Sequence, residues 1–132
     1  MAGKRYNIGL VTGNVEDDFP NQICEGAIQA AAELDDNLFI VPVKYFDRYD
    51  FTDPLQKYEY QYNTLISYAQ VHSLDIVLLC LGNISAIHEA RSAEIMNGFG
   101  DIPIILIASE LEGYSSVCYA NEAGLTEGIE AL

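Results

Sequence analysis

The stretch VTGNVEDDFP, residues 11–20, is the part of the sequence that indicates the fold most directly. It follows the run YNIGL and precedes NQICEGAIQAAAEL, in which apolar residues recur at the three- and four-residue steps of a helix. A glycine-bearing turn between a buried strand and a helix is where open α/β proteins place a ligand. The stretch therefore predicts a strand, loop and helix, and the question is whether the loop holds a phosphate, another small molecule or nothing.

Short apolar runs alternate with helical patterns along the rest of the chain. The run DIVLLCLG is continuously apolar, which indicates a central parallel strand covered on both faces. The predicted strands are Tyr6–Val11, Leu38–Val43, Asp75–Gly82, Ile102–Ser109 and Ser116–Tyr119. The predicted helices are Asp18–Leu34, Tyr58–Ser73, Ala86–Phe99 and one that begins at Asn121. This alternation predicts an α/β fold with an open parallel sheet, strand order 2-1-3-4-5 and helices on both faces.

Composition narrows the class of protein. The chain has 132 residues, half of them hydrophobic, which suits one domain with a sizeable core. No apolar run approaches the roughly 18 residues of a membrane span, and the N-terminus lacks the pattern of a signal peptide. The 20 acidic residues outnumber the 6 basic ones and give a net charge of −14, which repels nucleic-acid phosphates. We expect a soluble, cytoplasmic protein that binds neither membrane nor, through this segment, nucleic acid.

Few residues carry the signatures of metal, redox or catalytic chemistry. The cysteines each lie within an apolar run without metal-type spacing, which predicts buried, reduced thiols at Cys24, Cys80 and Cys118. His72 and His88 are isolated, so no metal site is expected. Ser109 and Glu110 have no histidine nearby in sequence, and no nucleophile–base pair or paired catalytic carboxylates stand out. The sequence therefore predicts a protein that is not an enzyme and holds no cofactor.

Two other classes of protein share the predicted strand order. A flavodoxin holds the FMN phosphate with hydroxyls and backbone amides at a helix N-terminus, and residues 12–14 resemble part of such a loop. The carboxylates of residues 16–18 would repel that phosphate, and the chain has no Trp to stack on a flavin. A phosphorylation receiver needs an Asp after the third strand and a Lys after the fifth, and both are missing. The receiver is excluded, whereas a flavodoxin-like redox protein stays open as an alternative.

From Tyr6 to Leu132 the chain resembles the N-terminal lobe of the lac repressor family and the related type-1 periplasmic binding proteins. The most specific stretch is IPIILIASELEGYSSVCYANEAGLTEGIEAL, residues 102–132, which is similar to the family's "IPVVLID…SV..DNEAG" block. Ala120 stands where that block usually has Asp, whereas the following Asn-Glu-Ala-Gly is retained. YNIGLVTGNVEDDFPNQICEGAIQAAAEL, residues 6–34, and LDIVLLCLG, residues 74–82, resemble the family's opening segment and its third strand.

The resemblance implies a function in sensing. The family fold has two similar lobes joined by a hinge, with a ligand between them and closure as the signal. We expect residues 1–132 to form one lobe of a longer protein, with a second lobe and an output domain elsewhere. Residues 57–75 and 109–117 resemble cytoplasmic sensor modules fused to GGDEF (diguanylate cyclase) or histidine-kinase domains. The family also dimerises through the faces of its first and third helices, which implies a homodimer.

The expected ligand contacts lie where strands end. By position, Asn14, Asp17 and Phe19 match the polar and aromatic ligand contacts of the family. The other strand ends converge on the same edge and add Tyr45, Asn83, Ser109 and Asn121. Other roles stay open, because Asp17 also suits a helix cap and Phe19 lies on the apolar stripe of its helix. Two residues depart from the family's pattern: Ala120 replaces an Asp, and Pro20 stands where the family often has a second aromatic residue. These departures leave open a third interpretation, a dimerisation module with a vestigial cleft.

Overall fold

The computed structural model describes residues 3–43, 58, 61, 64–71, 73–83, 89–118 and 121–131. Within these ranges five parallel strands form one sheet in the order β2-β1-β3-β4-β5, which confirms the predicted fold and strand order. The strands are β1 (Asn7–Thr12), β2 (Asn37–Pro42), β3 (Ile76–Leu79), β4 (Ile104–Ile107) and β5 (Ser115–Val117). The helices are α1 (Asp18–Leu34), α2 (Thr64–Val71), α3 (Glu89–Asn97) and α4 (Asn121–Glu130). None of the helices in the described ranges is long and apolar enough to cross a bilayer.

The core lies on both faces of the two central strands. Successive side chains of a strand point to opposite faces, and β1 uses this alternation to bury Leu10 and Val11 completely. Leu10 packs with Cys24 of α1 on one face of the sheet. Val11 packs on the other face with Ile66 of α2 and Ile95 of α3. The continuous apolar runs of the central strands are thus explained by helices on both sides.

Helix α1 has the bounds that its periodicity predicts. It ends at Asp35, which adopts the left-handed conformation with φ 57°, a region that Asp tolerates better than most residues. The next backbone N–H, that of Asp36, donates to the carbonyl of Ala31 at 2.9 Å, as in a Schellman motif. The Asp36 carboxylate accepts the N–H of Tyr6 at 2.9 Å, and this bond ties the end of α1 to the start of β1.

The predicted third strand, Asp75–Gly82, is too long at both ends. Its regular part is only Ile76–Leu79, and Leu81–Asn83 form a short 3-10 turn instead. At the other end the carboxylate of Asp75 accepts the N–H of Asn7 at 2.8 Å, so this residue closes the start of β1. The start is thus set by a contact with a distant residue, which an apolar run does not reveal.

The predicted second helix, Tyr58–Ser73, is also too long. Helix α2 begins at Thr64, and Tyr58 lies in a turn whose carbonyl accepts the N–H of Gln61 at 3.1 Å. The described part of the third helix is Glu89–Asn97, so it ends two residues before the predicted Phe99. The predicted start at Ala86 lies among residues 84–88, which are outside the described residues. Strand β4 is two residues shorter than predicted at each end, and β5 begins one residue earlier than predicted, at Ser115, within the usual uncertainty at the ends of elements. The predicted end of β5, Tyr119, lies outside the described residues.

The prediction of three buried thiols is correct for two of them. Cys24 and Cys80 are buried, and burial raises the pKa of both, that of Cys80 to about 11. Cys118 is exposed, because it follows the edge strand β5, whose residues are all exposed. Its thiol donates to the carbonyl of Ser109 at 3.4 Å. His72 and His88 lie outside the described residues.

Candidate functional site

The carboxyl ends of all five strands lie at one edge of the sheet, because every neighbouring pair is parallel. The chain leaves β1 toward β2 on one side and returns to β3 on the other, so the strand order reverses between β1 and β3. In open α/β sheets the loops diverge at such a reversal and leave a crevice that binds ligands. Here the loop of residues 13–17 and the 3-10 turn of residues 81–83 flank that crevice.

Asn14 organises the loop that follows β1. Its side-chain oxygen accepts the N–H of Glu16 at 3.3 Å, an Asx-type turn, and its carbonyl accepts the N–H of Asp17 at 3.2 Å. The amide nitrogen of Asn14 also lies 3.5 Å from the carboxylate of Asp17. The half-buried Asn14 thus shapes the loop that a ligand would meet.

Asp17 occupies the N-cap position of α1 without acting as a side-chain cap. Its backbone is extended (φ −78°, ψ 145°), its carbonyl accepts the first helical N–H from Asn21 at 3.0 Å, and its carboxylate makes no capping hydrogen bond. The carboxylate is exposed at the crevice and faces the amide of Asn14. Phe19, in the first turn of α1, keeps 37% of its surface exposed and so lies outside the buried core.

Two hydroxyl groups near this edge are buried without a hydrogen-bond partner among the described residues. One belongs to Thr12, the last residue of β1, and the other to Ser109, which follows β4. The residue before Ser109, Ala108, has φ 58°, a strained conformation for a residue with a side chain, and its N–H donates to Val117 at 2.8 Å. Strain and unpaired hydroxyls concentrate at functional sites more often than elsewhere.

Thr12 was not among the predicted ligand contacts, although residues 12–14 resemble part of a flavodoxin phosphate loop. Its hydroxyl lies close enough to the Cys80 thiol to oppose, in part, the rise that burial causes in the pKa of that thiol. The contact falls short of hydrogen-bond geometry, so the hydroxyl remains unsatisfied. Thr12 could have been predicted as a site residue from the sequence, because its hydroxyl lies at the last position of a strand and directly before a glycine.

The predicted site residues lie at different distances from the crevice. Neighbouring strands are about 4.8 Å apart, which places the end of β4 about 10 Å and that of β5 about 14 Å from the end of β1. Asn14 and Asp17 on one side and the backbone of Asn83 on the other therefore flank the crevice directly. Ser109 lies one strand further, and Asn121, the first residue of α4, lies beyond β5. Tyr45 lies outside the described residues.

Among the described residues, charge at this edge is negative; Lys44 and Arg48, which follow β2 in the sequence, lie outside the described residues. The exposed carboxylates of Glu16, Asp17 and Asp18 follow β1, and that of Glu110 follows β4. Two basic residues precede β1, at the opposite edge, and both are occupied in ion pairs. These are Lys4 with Asp75 at 3.3 Å and Arg5 with Asp35 at 3.0 Å. The carboxylates at the crevice therefore favour an uncharged or cationic ligand and disfavour an anion.

The sheet order, the helices on both faces and the crevice at the strand reversal define a doubly wound α/β lobe. The particular fold is that of the lac repressor core, since the crystal structure of the lac repressor dimer bound to operator and the anti-inducer ONPF matches with a TM-score of 0.71. The match covers 98% of this chain and 40% of that one, at 15% sequence identity. Neither a protein-family profile nor a curated protein sequence matches the chain.

Proposed function

We propose that this chain is the small-molecule-sensing lobe of a periplasmic-binding-protein-like regulatory domain in a cytoplasmic signalling or transcription-regulating protein. The observation that carries the proposal is the lac repressor fold combined with the reversal of strand order between β1 and β3, where open α/β sheets place a ligand crevice. The lac repressor in the matching structure is bound to an anti-inducer. This chain spans 40% of that protein's length, which suits a sensor completed by a second lobe.

The proposed mechanism is binding and closure rather than chemistry. A small molecule contacts the loop of residues 13–17 in one lobe and the facing edge of a second lobe. Because it binds the closed arrangement more tightly than the open one, it shifts the population toward closure. A GGDEF or histidine-kinase output domain would read that shift, and any catalysis would reside there.

The charge at the crevice narrows the ligand class. Four exposed carboxylates at this edge disfavour phosphates and carboxylic acids, and an amide with a partly exposed ring favours hydroxyls and flat faces. We therefore propose an uncharged ligand that carries hydroxyl or amide groups, such as a sugar or a nucleoside.

A thermal-shift assay on the protein tests this proposal. The probes are glucose, galactose, adenosine and guanosine, with inorganic phosphate as the disfavoured anion. We expect at least one neutral probe to raise the melting temperature and phosphate to leave it unchanged, because binding to the folded state alone stabilises it. Asp17→Asn should weaken that shift, whereas Glu25→Gln, which removes a similar exposed carboxylate further along α1, should not. A response to phosphate alone would contradict the proposal, and a yellow preparation would favour the flavodoxin-like alternative.

A further inference from the structure

Two buried thiols lie on the face of the sheet that carries α1. Cys24 belongs to α1, Cys80 directly follows β3, and both are free. With Leu10 of β1 they form one buried cluster, in which the two cysteines are 5% and 1% exposed. The third cysteine, Cys118, is exposed and follows the edge strand β5. Cys24 and Cys80 therefore form a pair in one layer of the core, and the proposed sensing site does not use their thiols.

The hydroxyl of Thr12 lies beside this pair. Val11 pairs with Leu79 in the sheet, and the N–H of Cys80 donates to the carbonyl of Val11 at 3.0 Å, so Thr12 and Cys80 come next in the same register. Thr12 shares the face of Leu10, because alternate residues of a strand point the same way. Its hydroxyl is completely buried and has no partner among the described residues. A donor is thus available beside Cys80 for any negative charge on that sulfur.

The two cysteines also affect each other's charge. Burial is the main cause that raises the pKa of Cys80, the hydroxyl of Thr12 opposes that rise in part, and Cys24 adds to it. Two thiols that disfavour each other's charge do not ionise together, so one becomes a thiolate while the other keeps its proton. One thiolate beside one thiol is the arrangement from which an oxidant makes a disulfide.

We propose that Cys24 and Cys80 are a redox-responsive pair that forms a disulfide between α1 and the end of β3 when the protein meets a peroxide. Hydrogen peroxide oxidises one of the two sulfurs to a sulfenic acid, and one water leaves. The other thiol then attacks the sulfenic sulfur, the S–S bond forms and a second water leaves. Both thiol hydrogens end in water, two cysteines are oxidised and one peroxide is reduced.

The bond joins the two flanks of the crevice. Helix α1 follows the loop of residues 13–17, and Cys80 directly precedes the 3-10 turn Leu81–Asn83. A disulfide at this place fixes the helix, and with it the loop, relative to the turn. Formation of the bond does not depend on the sensing function, whereas its effect on a ligand does. In a reducing compartment such a disulfide is transient, so the pair acts as a reversible switch.

Burial makes the reaction slow. It raises the pKa of both thiols, that of Cys80 to about 11, so both are protonated at neutral pH. The thiolate is the form that reacts with a peroxide. The disulfide is therefore expected under sustained exposure at mildly alkaline pH rather than during a brief pulse at neutral pH.

Oxidation of the full chain with hydrogen peroxide tests the pair. Cys118→Ser serves as the background, because it removes the exposed thiol and leaves two. After unfolding in denaturant, a coloured thiol reagent should find a fall from two free thiols to none, and dithiothreitol should restore both. Mass spectrometry should show a monomer that has lost two hydrogen atoms, with a peptide from α1 joined to one containing Cys80. Cys24→Ser and Cys80→Ser in this background are the matched controls, and neither should form a disulfide within one chain.

Three results would overturn the proposal. The first is that both thiols of the Cys118→Ser protein persist while the parent chain loses only Cys118. The second is loss of the thiols as sulfinic or sulfonic acids without a joined peptide. The third is a disulfide between two chains, which a gel without reductant shows as a dimer. The Cys118→Ser protein decides alone if a control variant does not fold, since it keeps both buried cysteines.

Discussion

Thr12 ends β1 with a fully buried hydroxyl that lacks a hydrogen-bond partner among the described residues. A buried polar group without a partner costs about 1–3 kcal/mol. The same residue lies directly before the loop that Asn14 shapes. Its position suits a hydroxyl that is retained for a ligand or a moving loop rather than for stability.

Replacement of Thr12 by valine tests this cost. Valine has nearly the same shape and no hydroxyl, so Thr12→Val should raise the free energy of unfolding by about 1–2 kcal/mol. Urea unfolding at neutral pH, monitored by circular dichroism, measures the change. A loss of stability would show that the hydroxyl is satisfied and that its position has no functional reason.

The carboxylate of Asp75 makes the stability of the fold depend on pH. The backbone N–H of Asn7 donates to its carboxylate and, with a smaller contribution from Lys4, lowers the pKa below its ordinary value of 3.8 despite partial burial. A carboxyl whose pKa is lower in the folded state stabilises the fold above its unfolded pKa and loses that effect as the pH falls through the folded pKa.

Asp75→Asn removes this charge while it keeps an oxygen that can accept the N–H of Asn7. We expect the variant to be less stable than the parent at neutral pH, and the difference to shrink as the pH drops below 3.8 toward the folded pKa. Chemical unfolding at a series of pH values measures it. A difference that stays constant over this range would contradict the assigned cause.

At the scale of elements, two glycines that look alike in the sequence have opposite roles. Gly9 lies within β1, where an added methyl meets the side chain of Leu74. Gly26 lies in the interior of α1, is exposed, and an added methyl has nothing within 4 Å. A glycine inside a helix costs roughly 0.5–1 kcal/mol relative to alanine.

The surroundings of the two glycines predict that their replacement by alanine changes the free energy of unfolding in opposite directions. Gly9→Ala should lower the free energy of unfolding by about 1–3 kcal/mol, because Leu74 must move out of a packed position. Gly26→Ala should raise it by about 0.5–1 kcal/mol. Thermal or urea unfolding of both variants measures the pair. Equal effects of the same sign would mean that the Leu74 contact does not constrain β1.

The elements that follow from periodicity alone are the ones that the sequence predicted best. The bounds of α1 and the order of the strands depend on local pattern and on the rules of parallel sheets, and both are confirmed. The start of β3 depends on a distant partner, Asn7, so its predicted bound was wrong, and helix α2 is shorter than its periodicity predicted. The exposure of Cys118 likewise follows from the edge position of β5.

At the scale of the whole molecule, two surfaces lie on different parts of one sheet: the crevice at the carboxyl edge, and a groove between β2 and α2 that Phe39 and Tyr68 line. The crevice is at the carboxyl edge and is rich in carboxylates, whereas the β2–α2 groove is on one face and is free of charge among its described residues. The loop containing Asn14 and Asp17 was predictable because it follows the first strand. The groove was not, because Phe39 and Tyr68 become neighbours only after the sheet and α2 pack together.

The most direct test of the sensing lobe is an NMR titration of the isotope-labelled protein with the neutral probe that gives the largest thermal shift. The account predicts that backbone resonances of residues 13–18, 81–83 and 108–110 change most, because these segments follow β1, β3 and β4 at one edge. Changes confined to β2 and α2, or no changes with any neutral probe, would contradict a ligand site at the carboxyl edge of the sheet.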